Sequence, residues 1–310
     1  MNDSRASQRE PPYARLAKRG ELKNRGERLW RMMEKCRLCP RECGANRLRG
    51  ERGTCQATAD LEIASHHLHF GEEKPLVGSG GSGTVFFSHC NLRCDFCINW
   101  EISQGGEGRR RSIRDLACMM LELQEKGCHN INVVTPTHYS PHIVQALDWA
   151  AGEGLRVPLV YNTSGWERLE VLRLLDGIVD IYLADFKYAD PKVAARYCAG
   201  AESYPEVTRR ALLEMHRQVG VARPGRGGLM ERGLMIRHLV MPGGASGTSE
   251  VIRWIASNLP RETYLNIMSQ YMPRGGEHAE IFRPVTREEF RTAVRWAREA
   301  GLTNLDIQGE

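Results

Sequence analysis

The chain has 310 residues, 41% hydrophobic and 26% charged, with 31 glycines, 14 prolines and a net charge of +5. This is a globular composition, and a chain of this length buries enough surface to fold without disulfides, as one large domain or one domain with a small module. No run reaches the ~18 apolar residues of a membrane span, and the opening MNDSRASQREPPYARLAKRG lacks the apolar core of a secretory signal, so a soluble cytoplasmic protein with no membrane partner is expected.

Residues 1–12 are polar and proline-containing and read as a disordered leader. From Tyr13 to Lys35 the spacing of Leu16, Leu22, Leu29, Trp30 and Met33 suits one helix with a charged outer face, which completes a basic unit over 1–35. Residues 1–55 hold 15 Lys and Arg against 7 Asp and Glu, whereas the remainder holds 28 against 31. A solvated basic arm accounts for this more simply than a nucleic-acid partner, because few aromatics interleave the charges.

Next comes a Cys-, Gly- and Arg-rich stretch without regular period, read as a metal-organised module over 36–75. Of the ten cysteines, seven fall within 62 residues, and the first four are Cys36, Cys39, Cys43 and Cys55. In a reducing compartment clustered thiols point to metal or redox chemistry. Four-cysteine zinc sites usually show two Cys-x-x-Cys pairs. Here there is one pair and then looser spacing, which favours an auxiliary [4Fe-4S] cluster over zinc. Arg37, Arg41, Arg47, Arg49 and Arg52 are placed to offset thiolate charge, and His66, His67 and His69 lie near enough in sequence to offer a ligand.

From residue 76 to the end the pattern changes. Gly78–Gly83 is a turn leading into a strand at Thr84–Ser88. Helix and strand signals then alternate: helix 115–126 closed by Gly127, strand 130–135, helix 140–153 with Pro141 in its first turn, strand 157–163 and helix 167–175. Strand 179–186, helices 191–198 and 205–219, strand 234–241, helix 246–258, strand 263–269 and helix 286–300 follow, with a short strand at 305–308 as a candidate seventh. Such alternation argues a parallel sheet with outer helices, whose active site lies at the strands' C-terminal ends.

There the first strand runs into Cys90-x3-Cys94-x2-Cys97. Three cysteines at these spacings converge on an iron–sulfur cube and leave one iron without a protein ligand, the open position that catalysis needs. A zinc knuckle or three core thiols is the plainer alternative. Cys118, Cys128 and Cys198 read as core thiols.

With Phe96 before the third cysteine, this stretch resembles the signature of the radical S-adenosylmethionine superfamily. The resemblance implies a partial (β/α)6 radical-SAM barrel, α/β in class, with an N-terminal Cys-rich module. It also implies a [4Fe-4S] cluster on Cys90, Cys94 and Cys97 that binds S-adenosylmethionine and cleaves it reductively to a 5′-deoxyadenosyl radical. Residues 84–272 are similar to the pyruvate formate-lyase-activating branch. That branch's Gly-Gly-Glu is absent at the second strand end, where Thr135 and Pro136 would supply carbonyls instead. Asn162 stands at the third strand end, where the branch has an acid. Asp185 and Lys187 match an Asp-x-Lys, and Arg237 matches an Ile-Arg-x-x-Val-x-Pro-Gly. The branch's histidine is missing at the sixth strand, where Tyr271 or Gln270 would substitute. Marks such as Cys-Pro-Arg-x-Cys, His69-Phe-Gly-Glu-Glu73, Thr135-Pro-Thr-His-Tyr139 and Arg237-His-Leu resemble an activase-homologue subfamily over 36–275.

The resemblance implies an activase that installs a glycyl radical on a partner enzyme or modifies a related protein or peptide, with flavodoxin or ferredoxin as electron donor. Radical modification of another peptide, an RNA or a metabolite is the second reading. A non-catalytic iron–sulfur or zinc protein that binds nucleic acid is the third.

Overall fold

Strands such as Leu159-Val160-Tyr161 are apolar on both sides, which suits them to a sheet covered on both faces. A computed structural model describes residues 10–273 and 278–308; residues 1–9, most of the expected leader, lie outside the described residues. In chain order the elements begin with α1 (Pro12–Lys18), α2 (Glu21–Arg31), β1 (Leu61–His69), α3 (Lys74–Val77), β2 (Ser82–Phe87), α4 (Trp100–Ser103) and β3 (Arg109–Arg111). They continue with α5 (Ile113–Glu125), β4 (Ile131–Val134), α6 (Ser140–Gly152), β5 (Leu159–Thr163), α7 (Leu169–Leu175), β6 (Ile181–Asp185) and α8 (Pro191–Tyr197). The last are α9 (Tyr204–Val219), β7 (Gly233–Leu239), α10 (Thr248–Asn258), β8 (Tyr264–Met268), α11 (Arg287–Glu299) and β9 (Leu305–Gln308).

Among the described residues nine strands form one sheet, in the order β3-β1-β2-β4-β5-β6-β7-β8-β9. The run from β2 through β9 is parallel, so the candidate seventh strand takes its place. Because β3 and β9 form opposite edges, the barrel is partial. Two antiparallel strands were not expected. In β1 three histidines blur the alternation, and β3 is three exposed arginines held by main-chain pairing of Arg109–Arg111 with Leu61–Ile63. The single helix expected over 13–35 is instead two helices, broken where Gly20 takes φ +71°, a conformation that glycine adopts at no steric cost. Both pack on α6, and the Tyr13 hydroxyl donates to the Val157 carbonyl at 2.8 Å. Gly127 ends α5 with φ +88°, as anticipated. Among the described residues no helix is long and apolar enough to cross a membrane.

Alternation within the strands sets up the site. Tyr161, Tyr182, Ile236 and Leu265 join the large core beneath the helices. On the opposite face Val160, Leu183, Met235 and Tyr264 make a second apolar cluster with Leu76. Two residues further along the same strands, that face turns polar, with Asn162, Asp185, Arg237 and Asn266 all buried or nearly so. A polar layer thus lies above an apolar floor, toward the strands' C-terminal ends.

Candidate active site

Past β2 the chain turns sharply: His89 takes φ +73° and Arg93 φ +55°. Left-handed residues other than glycine persist only where their surroundings hold them. Here the His89 ring lies 2.7 Å from the Glu62 carboxylate of β1, and the His89 main-chain N–H donates to the Ile102 carbonyl at 2.9 Å. The loop carrying Cys90, Cys94 and Cys97 is therefore pinned at the C-terminal end of the first parallel strand. Each thiol has its own hydrogen-bond contact. The Leu92 N–H donates to Cys90 Sγ at 3.4 Å, the Ser103 hydroxyl to Cys97 Sγ at 3.2 Å, and Cys198 Sγ lies 3.3 Å from Cys94 Sγ.

Burial pushes the Cys90 thiol up to about 12 and raises Cys97; while Cys94 is protonated it shares that proton with Cys198 Sγ, and this contact, then burial, raises it. The Lys187 ammonium opposes the rise at both Cys94 and Cys97. A coordinated metal deprotonates a thiol outright, so the donor set fits a metal group despite these raised values. No three His, Cys, Asp or Glu side chains among the described residues converge where one ion would sit. A four-iron cube takes each thiolate on a different iron, so its three protein ligands need not converge on one point.

Lys187, Asp185, Arg237 and Asn162 are brought together beside this loop. Asp185 accepts from Lys187 Nζ at 2.7 Å and from Arg237 Nε at 2.9 Å, while Arg237 Nη2 donates to Asn162 Oδ1 at 2.6 Å. Burial alone would raise the Asp185 carboxyl, but Arg237 and Lys187 outweigh it and hold the group below the usual carboxylate value. Arg237 Nη1 has Glu72 at 3.5 Å. Gly165, at φ +78°, follows β5 so closely on Asp185 that an added Cβ would lie 2.2 Å from its carbonyl. At the end of β4, Thr135 takes φ +57° and donates its N–H to the Asn162 carbonyl at 2.9 Å; a β-branched residue in that region is an outlier of the kind found at functional sites. Pro136 follows it, buried. Tyr271 packs its ring 5.6 Å from Phe96, but its hydroxyl is engaged by the Ile281 carbonyl at 3.0 Å.

The sequence reading missed four members of the polar layer. Glu72 accepts from Asn132 and Asn162, and Glu73 accepts from Asn266 at 2.9 Å, with burial raising its carboxyl to about 7. Both glutamates lie in the run 69–73, read from sequence as a family mark only. His238 of the Arg237-His-Leu mark faces the other way, tied to the Phe186 carbonyl and the Thr248 hydroxyl, and burial lowers it to about 4.

The four N-terminal cysteines also come together: Cys36 and Cys39 are raised chiefly by burial, with Cys43 and Cys55 adding to the rise at both. The approach of Gly53 to Cys43 is tight enough that a Cβ would meet its Sγ at 2.3 Å. Of the arginines expected to offset thiolate charge, Arg47 lowers Cys36, and Arg41 lies close enough to feel Cys39. Both guanidinium groups are nevertheless committed to carbonyls. Buried Arg47 donates to Thr58 and His138, and Arg41 to Asn91, Leu92, Cys198 and Ala199. His66 pairs with Glu122, while His67 and His69 pack on Phe86. Cys128 is buried as expected, but Cys118 is exposed because position 118 falls on the outer face of α5, opposite Leu116, Met120 and Leu123. Cys198 is buried against Cys94 rather than among apolar side chains alone.

The description of the radical SAM superfamily matches residues 84–221. The uncharacterised protein MJ0674 of Methanocaldococcus jannaschii is 30% identical over 287 residues, which cover 89% of this chain and 77% of that protein. Among solved structures, anSMEcpe with bound AdoMet superposes with a TM-score of 0.48 at 9% identity, covering 70% of this chain and 61% of that one. A domain of pyruvate-formate lyase-activating enzyme from Bacteroides vulgatus gives 0.37 at 15% identity, covering 64% and 91%. The chain spans about three fifths of the length of the first of these structures. The chain belongs to the radical SAM superfamily. S-adenosylmethionine and a [4Fe-4S] cluster are the cofactors of that superfamily.

Proposed function

We propose that this enzyme takes a hydrogen atom from a protein or peptide, in the manner of an activase installing a glycyl radical on a partner. Cys90, Cys94 and Cys97 hold the [4Fe-4S] cluster. S-adenosylmethionine lies against Asn162, Asp185, Lys187 and Arg237, with Phe96 and the carbonyls of Thr135 and Pro136 at its edges. The observation carrying this reading is the juxtaposition of the three-cysteine loop with the Lys187–Asp185–Arg237–Asn162 chain at the ends of β5, β6 and β7.

A [4Fe-4S] cluster held by Cys90, Cys94 and Cys97 would supply the single electron needed to cleave the sulfonium of S-adenosylmethionine reductively. The chain's own residues prepare the ground for that step. Arg237 and Lys187 present buried positive charge suited to a methionyl carboxylate, Arg237 through a planar fork. Asp185 holds both cations in place by charge-assisted bonds. Asn162 offers an amide to a ribose or carboxylate.

A macromolecular substrate is supported by what surrounds the loop. Ile98 and Trp100 follow Cys97 directly and are 58% and 46% exposed. Met272 and Phe282 are also exposed, beside Tyr271 and Ile281, whose segment rests on Phe96. Exposed apolar side chains in these segments support a docking role for them. The 36–75 module is read as the seat of an auxiliary [4Fe-4S] cluster, with zinc as the alternative, and flavodoxin or ferredoxin as the reductant.

Anaerobic reconstitution followed by reduction with S-adenosylmethionine should yield 5′-deoxyadenosine and methionine; no cleavage would refute the cofactor assignment. Co-incubation with candidate glycyl radical enzymes should then give a doublet glycyl signal. Cleavage without that doublet across a panel would refute the activase reading alone.

A further inference from the structure

Cys198 has a place that the proposed chemistry does not use. It is fully buried just past α8, with its Sγ 3.3 Å from Cys94 Sγ and 3.8 Å from the Tyr188 hydroxyl. Separate ties join residues 197–199 to the cysteine loop. The Asp95 N–H donates to the Tyr197 carbonyl at 3.0 Å. The Arg41 guanidinium spans both segments, donating to the Asn91 carbonyl at 3.0 Å and the Leu92 carbonyl at 3.2 Å on one side. On the other side it donates to the Cys198 carbonyl at 2.9 Å and the Ala199 carbonyl at 2.6 Å. That guanidinium also lies 4.9 Å over the Trp166 ring. Ala199 takes φ +48°, a left-handed conformation that is unfavourable for alanine and needs such ties to hold it.

The contact also completes a pattern. Cys90 Sγ has the Leu92 N–H, Cys97 Sγ has the Ser103 hydroxyl, and Cys94 Sγ, buried away from water, has Cys198. Each sulfur of the loop thus has at least one donor, and at Cys94 that donor comes from a distant element. Hydrogen bonds to cluster sulfurs draw electron density from the irons and favour the reduced state, and partners outside the ligand set orient the ligands themselves.

We infer that Cys198 is a positioning residue of the cluster site, donating an S–H hydrogen bond to the Cys94 thiolate and raising the cluster's reduction potential without itself binding iron. This rests on the assignment of Cys90, Cys94 and Cys97 to the cluster. Arg41 and the Asp95–Tyr197 bond hold the donor in register, so the four-cysteine module reaches the catalytic loop through Arg41.

The test reconstitutes the wild-type chain, Cys198→Ala, Cys198→Ser and Cys118→Ala anaerobically. It measures bound iron and, by redox titration, the midpoint potential of the paramagnetic signal that changes when S-adenosylmethionine is added. Cys198→Ala should retain iron and titrate at a more negative potential, with the ratio of reduced to oxidised cluster at fixed poise falling roughly threefold to tenfold. Cys198→Ser, whose hydroxyl still donates, should stay near wild type, and exposed Cys118→Ala should match it. If Cys198→Ala loses iron and Cys198→Ser keeps it, the donor role also stands. An unmoved potential in Cys198→Ala, or equal shifts in Ala and Ser, would overturn it. So would loss of four irons from both variants but not from Cys118→Ala, since Cys198 would then be a ligand. A wild-type chain without a responsive signal would instead refute the cluster assignment itself.

Discussion

Asp185→Asn tests the polar layer most directly. Asp185 is 12% exposed at its side chain and bonds two cations, Lys187 and Arg237, that are 17% and 16% exposed. At an effective dielectric near 20 each contact has a gross attraction of about 4 kcal/mol, much of it offset by desolvation. Removing one partner of a buried pair costs about 3–5 kcal/mol because the remaining charge stays buried. Asparagine still accepts one hydrogen bond, and Glu72 lies 3.5 Å from Arg237, so a loss near 3 kcal/mol is expected at pH 7. The pH dependence follows from the lowered carboxyl. A group depressed in the fold contributes stability that is present above its unfolded value, about 3.9, and lost as pH falls through its folded value. Urea unfolding of the anaerobic apo-protein should therefore show a constant gap between wild type and variant from pH 7 to 5, closing in stronger acid. A gap below about 1 kcal/mol at pH 7, or one that does not shrink on acidification, would refute the reasoning.

Glu167 behaves in the opposite sense. Its carboxylate is buried and accepts from the Thr137 and Thr163 hydroxyls, and burial raises it to about 7. Its protonated form contributes stability that is complete below the unfolded value and lost as pH rises through 7. Glu167→Gln should therefore gain on wild type by roughly 1–3 kcal/mol between pH 4 and 8, read by denaturant unfolding at each pH. Cys36→Ala should lower bound iron from about eight to about four per chain, since each [4Fe-4S] cluster holds four; Cys118→Ala should leave the content unchanged, and iron analysis after reconstitution reads both.

The cysteine loop, the order of the parallel strands and the residues at their ends were legible because each depends on spacing along the chain. An apolar run such as Ile181–Ala184 declares a buried strand, and the alternation that places Asp185 two residues past Leu183 puts both on one face. The split at Gly20 was hidden because the helical spacing of Leu16, Leu22 and Leu29 continues across it. Strand β3 was hidden because three arginines carry no alternation, and what holds them extended is main-chain pairing with β1.

By itself the sequence determined the superfamily motif, the alternating architecture and the candidates Cys90, Cys94, Cys97, Asn162, Asp185, Lys187 and Arg237. Only the tertiary structure decided which side chains meet those candidates. Glu72 reaches Arg237 from the loop between β1 and β2, Arg41 ties the N-terminal module to Leu92, and Cys198 lies against Cys94 across 104 positions of chain. Local spacing records the direction in which a side chain leaves its own element. The neighbour it finds depends on how strands and loops distant in sequence are stacked, and that is set by burial over the whole sheet.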